Sequence, residues 1–388
     1  HEMRDHGRFR LDLFAVRPAG ALLRWRWFPV GLQLLLVAAV VALALNGLGI
    51  GDGYTADELK TLRKTNLTTL VVWGLYWPGM IAVALAAGRI WCTVCPMEAV
   101  HRLGDALARA VGWPRARLGK VLRAGWITLA LYLVLQVLVA TVALHRVPSH
   151  TAWLLFSLLI LAFTSGLVFR HPRAFCTAFC PASALLSVYG RFSPLQLDTR
   201  DESVCGACTT RDCVRADNRY RLDGRSCPSL LRPYRRAASD GCVMCLQCSR
   251  SCPHDNVGVG LVRPGAPVRR IRPLKPFEVA FVMVATGFVS HEVLGEVVWL
   301  DPYFHAVPAK LEASLGWMPF RWWEGLWYLA LFPALLWGGF LALRRLVRPR
   351  ERLGGLLAAA AIGAAPVIAV AHLAKALAKL SGWSPYLP

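Results

Sequence analysis

Twelve cysteines carry the most reactive chemistry of this 388-residue chain, and they are spaced as metal ligands rather than as disulfide partners. Eight lie between 205 and 252. One set reads Cys242-x2-Cys245-x2-Cys248-x3-Cys252-Pro253. In that spacing three thiolates wrap one face of a [4Fe–4S] cubane, the fourth leaves toward a second cluster, and the proline turns the chain away. The partner set is Cys205-x2-Cys208-x4-Cys213, followed after thirteen intervening residues by Cys227-Pro228. Exchange of the fourth ligands assigns Cys205, Cys208, Cys213 and Cys252 to one cluster, and Cys227, Cys242, Cys245 and Cys248 to the other. Zinc is the competing metal, but it takes two CxxC pairs around a knuckle, not triplets followed by Cys-Pro.

The other four cysteines form two short motifs, Cys92-Thr93-Val94-Cys95-Pro96 and Cys176-Thr177-Ala178-Phe179-Cys180-Pro181. Each follows an apolar run, is preceded by an arginine (Arg89, Arg173) and leads into an amphipathic stretch. That parallel reads as an internal repeat of a two-span unit, roughly 28–110 and 124–195. Four thiolates at one depth would ligate a third cluster; redox-active thiol pairs and reduced packing cysteines are the alternatives.

The elements that position these residues are membrane spans. The chain is 56% apolar and 17% charged, and the apolar residues come in blocks, as a bilayer demands. Seven blocks qualify: 28–49, 67–88, 124–145, 152–169, 277–299, 323–343 and 354–377. Each should be helical, since only intrasegment hydrogen bonds satisfy the backbone in lipid. The fold class is therefore an all-α polytopic membrane protein with an inserted 2[4Fe–4S] ferredoxin-like module. Its parts are an N-terminal segment (1–27), a four-helix core with two Cys-Pro motifs (28–199), the module (200–262) and three further helices (263–388).

The net charge of +21 is no sign of nucleic acid, because the cations sit between the apolar blocks. With residue 1 inside, the inner segments hold 36 of the 44 Lys and Arg, so all twelve cysteines face the cytoplasm and the C-terminus lies outside. Lipid headgroups account for much of that charge. Trp25, Trp27, Trp91, Trp153, Trp299, Trp322 and Trp323 sit at span edges as interfacial anchors.

The C-terminal spans contain His291, Glu292, Glu296 and His372, with Lys375 a turn beyond His372. Ionisable groups within a bilayer are functional candidates. Two chemistries suit them: binding a quinol headgroup and accepting its protons, or axial ligation of a b-type haem by His291 and His372. At 1.5 Å per residue these histidines stand about 20 and 27 Å from the inner ends of their spans. A quinone at that depth would need an intermediate carrier, which a haem could supply, to reach the inner clusters; without one the quinone is expected near the inner face, beside Cys92 and Cys180. Interfacial or packing roles are the plainer alternative. Glu278 and Glu324 read as interfacial, His145 and His150 as solvated, and His101, His171 and His254 as surface residues or neighbours of the clusters. Arg211, Arg215 and Arg250 would raise cluster potentials, dock an acidic partner, or simply form a solvated basic surface.

The segments "GRIWCTVCPMEAV" and "RAFCTAFCPASALLSVYGRFSPL", followed by the double cysteine run, resemble the membrane-bound polyferredoxins of the NapH/NosR type. The resemblance spans about 28–260. It implies an integral iron–sulfur subunit that carries electrons between the quinone pool and a partner respiratory oxidoreductase in a bacterial cytoplasmic membrane. Two departures stand out: the first motif has two residues between its cysteines where that family usually has three, and three spans follow the module. The rival function is an assembly or maturation factor that reduces a metal or thiol on a client metalloenzyme.

Overall fold

The computed structural model describes residues 11–13, 16, 20–21, 25, 27–51, 53–221, 223–232, 241–262, 273–347 and 352–386. Of the lead 1–27, only residues 11–13, 16, 20, 21, 25 and 27 are among them, and within the four parts read from the sequence, 263–272 also lies outside.

The described chain is mostly helical. We label α1 (Val30–Gly47), α2 (Trp77–Ala87), α3 (Pro96–Ala110), α4 (Trp126–Thr141), α5 (Pro148–Val168), α6 (Ser183–Tyr189), α7 (Pro276–Leu294), α8 (Asp301–Leu315), α9 (Phe332–Val347) and α10 (Leu353–Trp383). Six stretches are long and apolar enough to cross a membrane: Val30–Gly47, Leu67–Ala110, Pro148–Val168, Pro276–Leu294, Phe320–Val347 and Leu353–Tyr386. The expected third span, 124–145, falls short. Gly125 takes a left-handed conformation (φ 88°) ahead of α4, and the helix ends at Thr141 after 16 residues, less than a bilayer needs.

Large apolar side chains face outward along these helices. Leu34, Leu35, Ile160, Leu335, Val367 and Val370 are all exposed. In water such a surface would be costly and would aggregate; in lipid it is the solvated face. Trp25, Trp27, Trp153, Trp299 and Trp322 are exposed as anchors should be, whereas Trp323 is buried and Trp91 lies edge-on to Tyr76 at 5.2 Å.

Small residues let α3 and α5 touch backbone to backbone. A Cβ on Gly104 would lie 2.3 Å from the Phe163 carbonyl oxygen, and one on Gly166 would lie 2.1 Å from that of His101. His101 is thus buried at this contact, its Nδ1 3.0 Å from Ser165 Oγ, and is not a surface residue.

Three short strands add a sheet to the helices: β1 (Leu11–Asp12), β2 (Leu195–Thr199) and β3 (Val257–Leu261), antiparallel in the order β1-β3-β2. β2 and β3 bracket the eight-cysteine segment and pair Leu195 with Leu261 through Thr199 with Val257. They bring both ends of that segment to one place at the base of the bundle. Arg250 fixes the lead there, donating to the carbonyl oxygens of Phe28 (2.7 Å) and Trp25 (2.8 Å) and to Asp223 (2.8 Å). Its charge therefore serves attachment rather than a solvated basic surface.

Candidate functional site

The cysteine segments are bent into loops by residues whose backbone conformation is costly for any side chain but glycine. Met244 (φ 57°) and Leu246 (φ 59°) alternate with Cys242, Cys245 and Cys248, and Arg211 (φ 47°) stands between Cys208 and Cys213. Left-handed non-glycine residues persist only where their surroundings fix them. Here they curl successive thiols toward a common centre. A small cavity is lined by Cys205, Cys208, Cys213 and Cys252 together, with His254 and Asn256 beside them. Asn256 supplies two N–H groups to sulfur, its side chain to Cys205 (3.2 Å) and its backbone to Cys252 (3.4 Å), while the Arg211 backbone N–H donates to Cys208 (3.5 Å).

The second group gathers Cys227 within electrostatic reach of Cys242 and Cys245. Cys248 is buried and shares a small apolar cluster with Cys242. The Met244 N–H donates to Cys242 Sγ at 3.4 Å. These amide-to-sulfur bonds and left-handed turns fit a bound cubane, whose sulfurs are stabilised by backbone donors. The two groups touch directly, because the Cys227 N–H donates to the Cys213 carbonyl at 2.9 Å.

Burial governs the thiol acidities. It pushes Cys213 up to about 11 and Cys227 up to about 12, with neighbouring cysteines adding to both. Burial also raises Cys205 and Cys245, the latter opposed by the Arg225 guanidinium. Cys208 runs the other way, lowered by the Arg211 backbone donor and the Thr210 hydroxyl.

The two Cys-Pro motifs converge as a third group. Cys95 lies within electrostatic reach of Cys176, Cys180 and Cys92, and Cys92 and Cys176 are buried. The motifs are built alike: a helical turn, an extended second cysteine (Cys95 ψ 127°, Cys180 ψ 115°), a proline, then a helix. They differ by one residue, which the second motif absorbs in a π-helical turn over Phe175–Phe179 where the first has an α-turn over Trp91–Val94. They also clasp each other reciprocally. Arg89 and Arg173 each stand three residues before a first cysteine, and Glu98 and Ser183 each stand three after a second. Arg173 Nε donates to Glu98 (3.3 Å), and Arg89 donates to Ser183 (3.2 Å). The side-chain bonds between the motifs thus join matching positions of the two units.

This third group abuts the second. Thr93, between Cys92 and Cys95, donates its hydroxyl to the carbonyl of Val243, between Cys242 and Cys245. Buried Glu98 lies 3.8 Å from Arg225 and 3.3 Å from Arg173, so one carboxylate joins the arginines of both groups. The segments that carry the twelve cysteines are therefore linked in series by hydrogen bonds, Cys227 to Cys213 and Thr93 to Val243.

At the other end of the bundle a cavity of about 550 Å³ takes in all four C-terminal candidates, His291, Glu292, Glu296 and His372. His145 and Glu324 line it too, so neither is merely solvated or interfacial. Lys375 pairs with Glu296 and stands 3.9 Å from Glu292. Glu278 is fully buried, not interfacial: it receives both Arg191 (2.7 and 2.9 Å) and the Ser187 hydroxyl (2.5 Å). His150 Nδ1 lies 3.0 Å from the Val142 carbonyl, and the Arg173 N–H reaches His171 Nδ1 at 3.3 Å.

Sequence reasoning treated the depth of His372 as a gap. The fold closes it with α6, which enters the bundle just after Cys180 and packs against α2, α4, α7 and α10. Tyr189 ends α6 with its hydroxyl 3.2 Å from His372 Nδ1, roughly 9 Å along the helix from Ser183. Phe281, Phe288 and Tyr132 surround this contact ring against ring at 5.3–6.2 Å. Tyr189, Glu98 and His305 were not singled out from the sequence. A signal existed for His305: Asp301-Pro302 is a helix start, which puts His305 one turn on.

No protein-family model matches the chain, and no solved structure does. It is 26% identical over 178 residues to the uncharacterized protein MJ0749 of Methanocaldococcus jannaschii, covering 44% of this chain and 64% of that one. Its neighbour MJ0750 matches at 26% over 190 residues, 45% and 74% of the two chains. The methylamine utilization ferredoxin-type protein MauN of Paracoccus denitrificans matches at 29% over 134 residues, 32% of this chain and 47% of its own. This distant likeness and the six apolar helices fit a membrane ferredoxin-type protein with iron–sulfur electron transfer as its chemistry.

Proposed function

We propose that the chain is an integral membrane iron–sulfur subunit that passes electrons between the quinone pool and a partner respiratory oxidoreductase. The carrying observation is the contact between the thiol groups: Cys227 to Cys213, and Thr93 to Val243. Cys205, Cys208, Cys213 and Cys252 would hold one [4Fe–4S] cluster, Cys227, Cys242, Cys245 and Cys248 a second, and Cys92, Cys95, Cys176 and Cys180 a third. When bound, such groups supply one-electron acceptors at closely spaced positions. The chain's own residues give each position its character. N–H donors from Asn256, Arg211 and Met244 stabilise charge on sulfur, and Arg173 and Arg225 bring positive charge to the inner pair.

The cavity suits a quinol better than a haem. His372 is engaged by Tyr189 and Phe288, and His291 stacks on Tyr328 with ring centroids 4.4 Å apart. His291 Nε2 is directed at Glu324 Oε1, 4.0 Å away, and so is taken up by a partner other than an iron shared with His372. A quinol headgroup needs only an acceptor, and His372 with Glu292 offers one that opens onto the cavity. The cation distribution supports an orientation with the module on the cytoplasmic side of a bacterial inner membrane and the cavity on the other.

Stopped-flow reduction of purified, cluster-loaded protein by a quinol analogue tests this reading. Bleaching of the iron–sulfur absorbance is expected, with His372→Ala slowing it about tenfold or more. No bleaching, with or without co-purified partners, would reject the quinone role.

A further inference from the structure

At the edge of the cavity, three side chains aim their electron-rich atoms at one point. His291 Nε2 stands 4.0 Å and His305 Nε2 3.1 Å from Glu324 Oε1, and the three atoms lie within 4.8 Å of one another. His305 Nδ1 is 3.0 Å from the Asp301 carbonyl oxygen, which can only accept, and 3.0 Å from the Asp301 carboxylate. Its proton therefore sits on Nδ1. Nε2 then faces a carboxylate oxygen at 3.1 Å, a pair that either a second ring proton or a metal ion between the two atoms would satisfy. His291 adds a third donor to the same point, its ring held by the stack on Tyr328.

We infer that His291, His305 and Glu324 form a divalent metal site of the zinc type. Two imidazoles and one carboxylate are a catalytic-zinc ligand set, and such sites leave the fourth position open. Here that position faces the cavity that His291 and Glu324 both line. The Asp301 contact is the accessory bond that ligating histidines make through their other nitrogen, fixing tautomer and orientation. Zinc bonds of about 2.0–2.1 Å in a tetrahedron require ligand atoms about 3.4 Å apart, so small side-chain rotations complete the site. Arg146 and Arg321 line the same cavity and oppose the ion, so the three donors have to act together. The ligands come from the end of α7, from α8 and from Phe320–Leu326, remote from every cysteine. The site is thus independent of the iron–sulfur reading.

The test uses full-length protein loaded anaerobically with iron and sulfide, so that the thiols are occupied. After a chelator wash it is equilibrated with Zn2+ and desalted, and metals are counted per chain. One added zinc is expected in the wild type and in Glu296→Gln, which removes a cavity charge outside the triad. His305→Ala and Glu324→Gln should lose it while keeping wild-type iron and sulfide. Asp301→Asn, milder for folding, should weaken zinc about tenfold to a hundredfold. Co2+ in place of Zn2+ should give visible bands of a nitrogen- and oxygen-bound ion. Equal zinc in wild type and triad variants, or none in the wild type, overturns the site; the latter result would leave a protonated His305 paired with Glu324.

Discussion

Buried thiols hold their protons, and this sets the conditions for metal loading. Cys213 and Cys227 rise from an ordinary value of 9.0 to about 11 and about 12. The folded, metal-free chain therefore keeps protons that an unfolded chain would release above pH 9. Its stability is whole below that pH and falls as pH rises toward 12. Thiolates already bound to iron have given up their protons, so the loaded protein should not lose stability in this window. Thermal unfolding at about pH 7 and about pH 10 is expected to separate the two forms by about 1 kcal/mol, most of it from Cys227, because half-exposed Cys213 is screened by solvent. A metal-free protein equally stable at both would show that these thiols are not desolvated. Elsewhere, Glu278→Gln removes the buried carboxylate charge that faces Arg191 at 2.7 Å and should destabilise the protein, read as a lowered melting temperature in detergent.

At the scale of elements, the likeness of the two Cys-Pro motifs was legible because proline and arginine recur at matching offsets. What the sequence hid was how one extra residue is accommodated, since a π-turn depends on packing rather than on residue type. The reciprocal Arg173–Glu98 and Arg89–Ser183 bonds make the motifs equivalent. Cys95→Ser and Cys180→Ser should accordingly have the same effect, each lowering iron by about four per chain. Loss in one variant alone would separate the motifs functionally. Thr93→Val removes the direct bond between the inner thiol groups and is expected to keep full iron while slowing reduction of the module several-fold. The re-entry of α6 was not legible either. Its seven residues are too short to register as a span, and Tyr189 reads as an ordinary aromatic until the bundle surrounds it.

Across the described residues, length and hydropathy located the membrane helices, but 67–88 and 354–377 fell short of the stretches Leu67–Ala110 and Leu353–Tyr386, and α4 stops short of a span. The cavity escaped prediction for a different reason: its lining runs from Arg63 to Trp383, and no local pattern announces residues that meet only through the fold. In the orientation proposed from the cation bias, the cysteines and the cavity lie on opposite sides of the bilayer. The central claim is that the twelve cysteines hold iron and inorganic sulfide in three sets, and chemical quantitation on anaerobically purified protein tests it most directly. About twelve irons and about twelve acid-labile sulfides per chain are predicted. Colourless protein without labile sulfide, whether metal-free or carrying zinc on its cysteines, would contradict it.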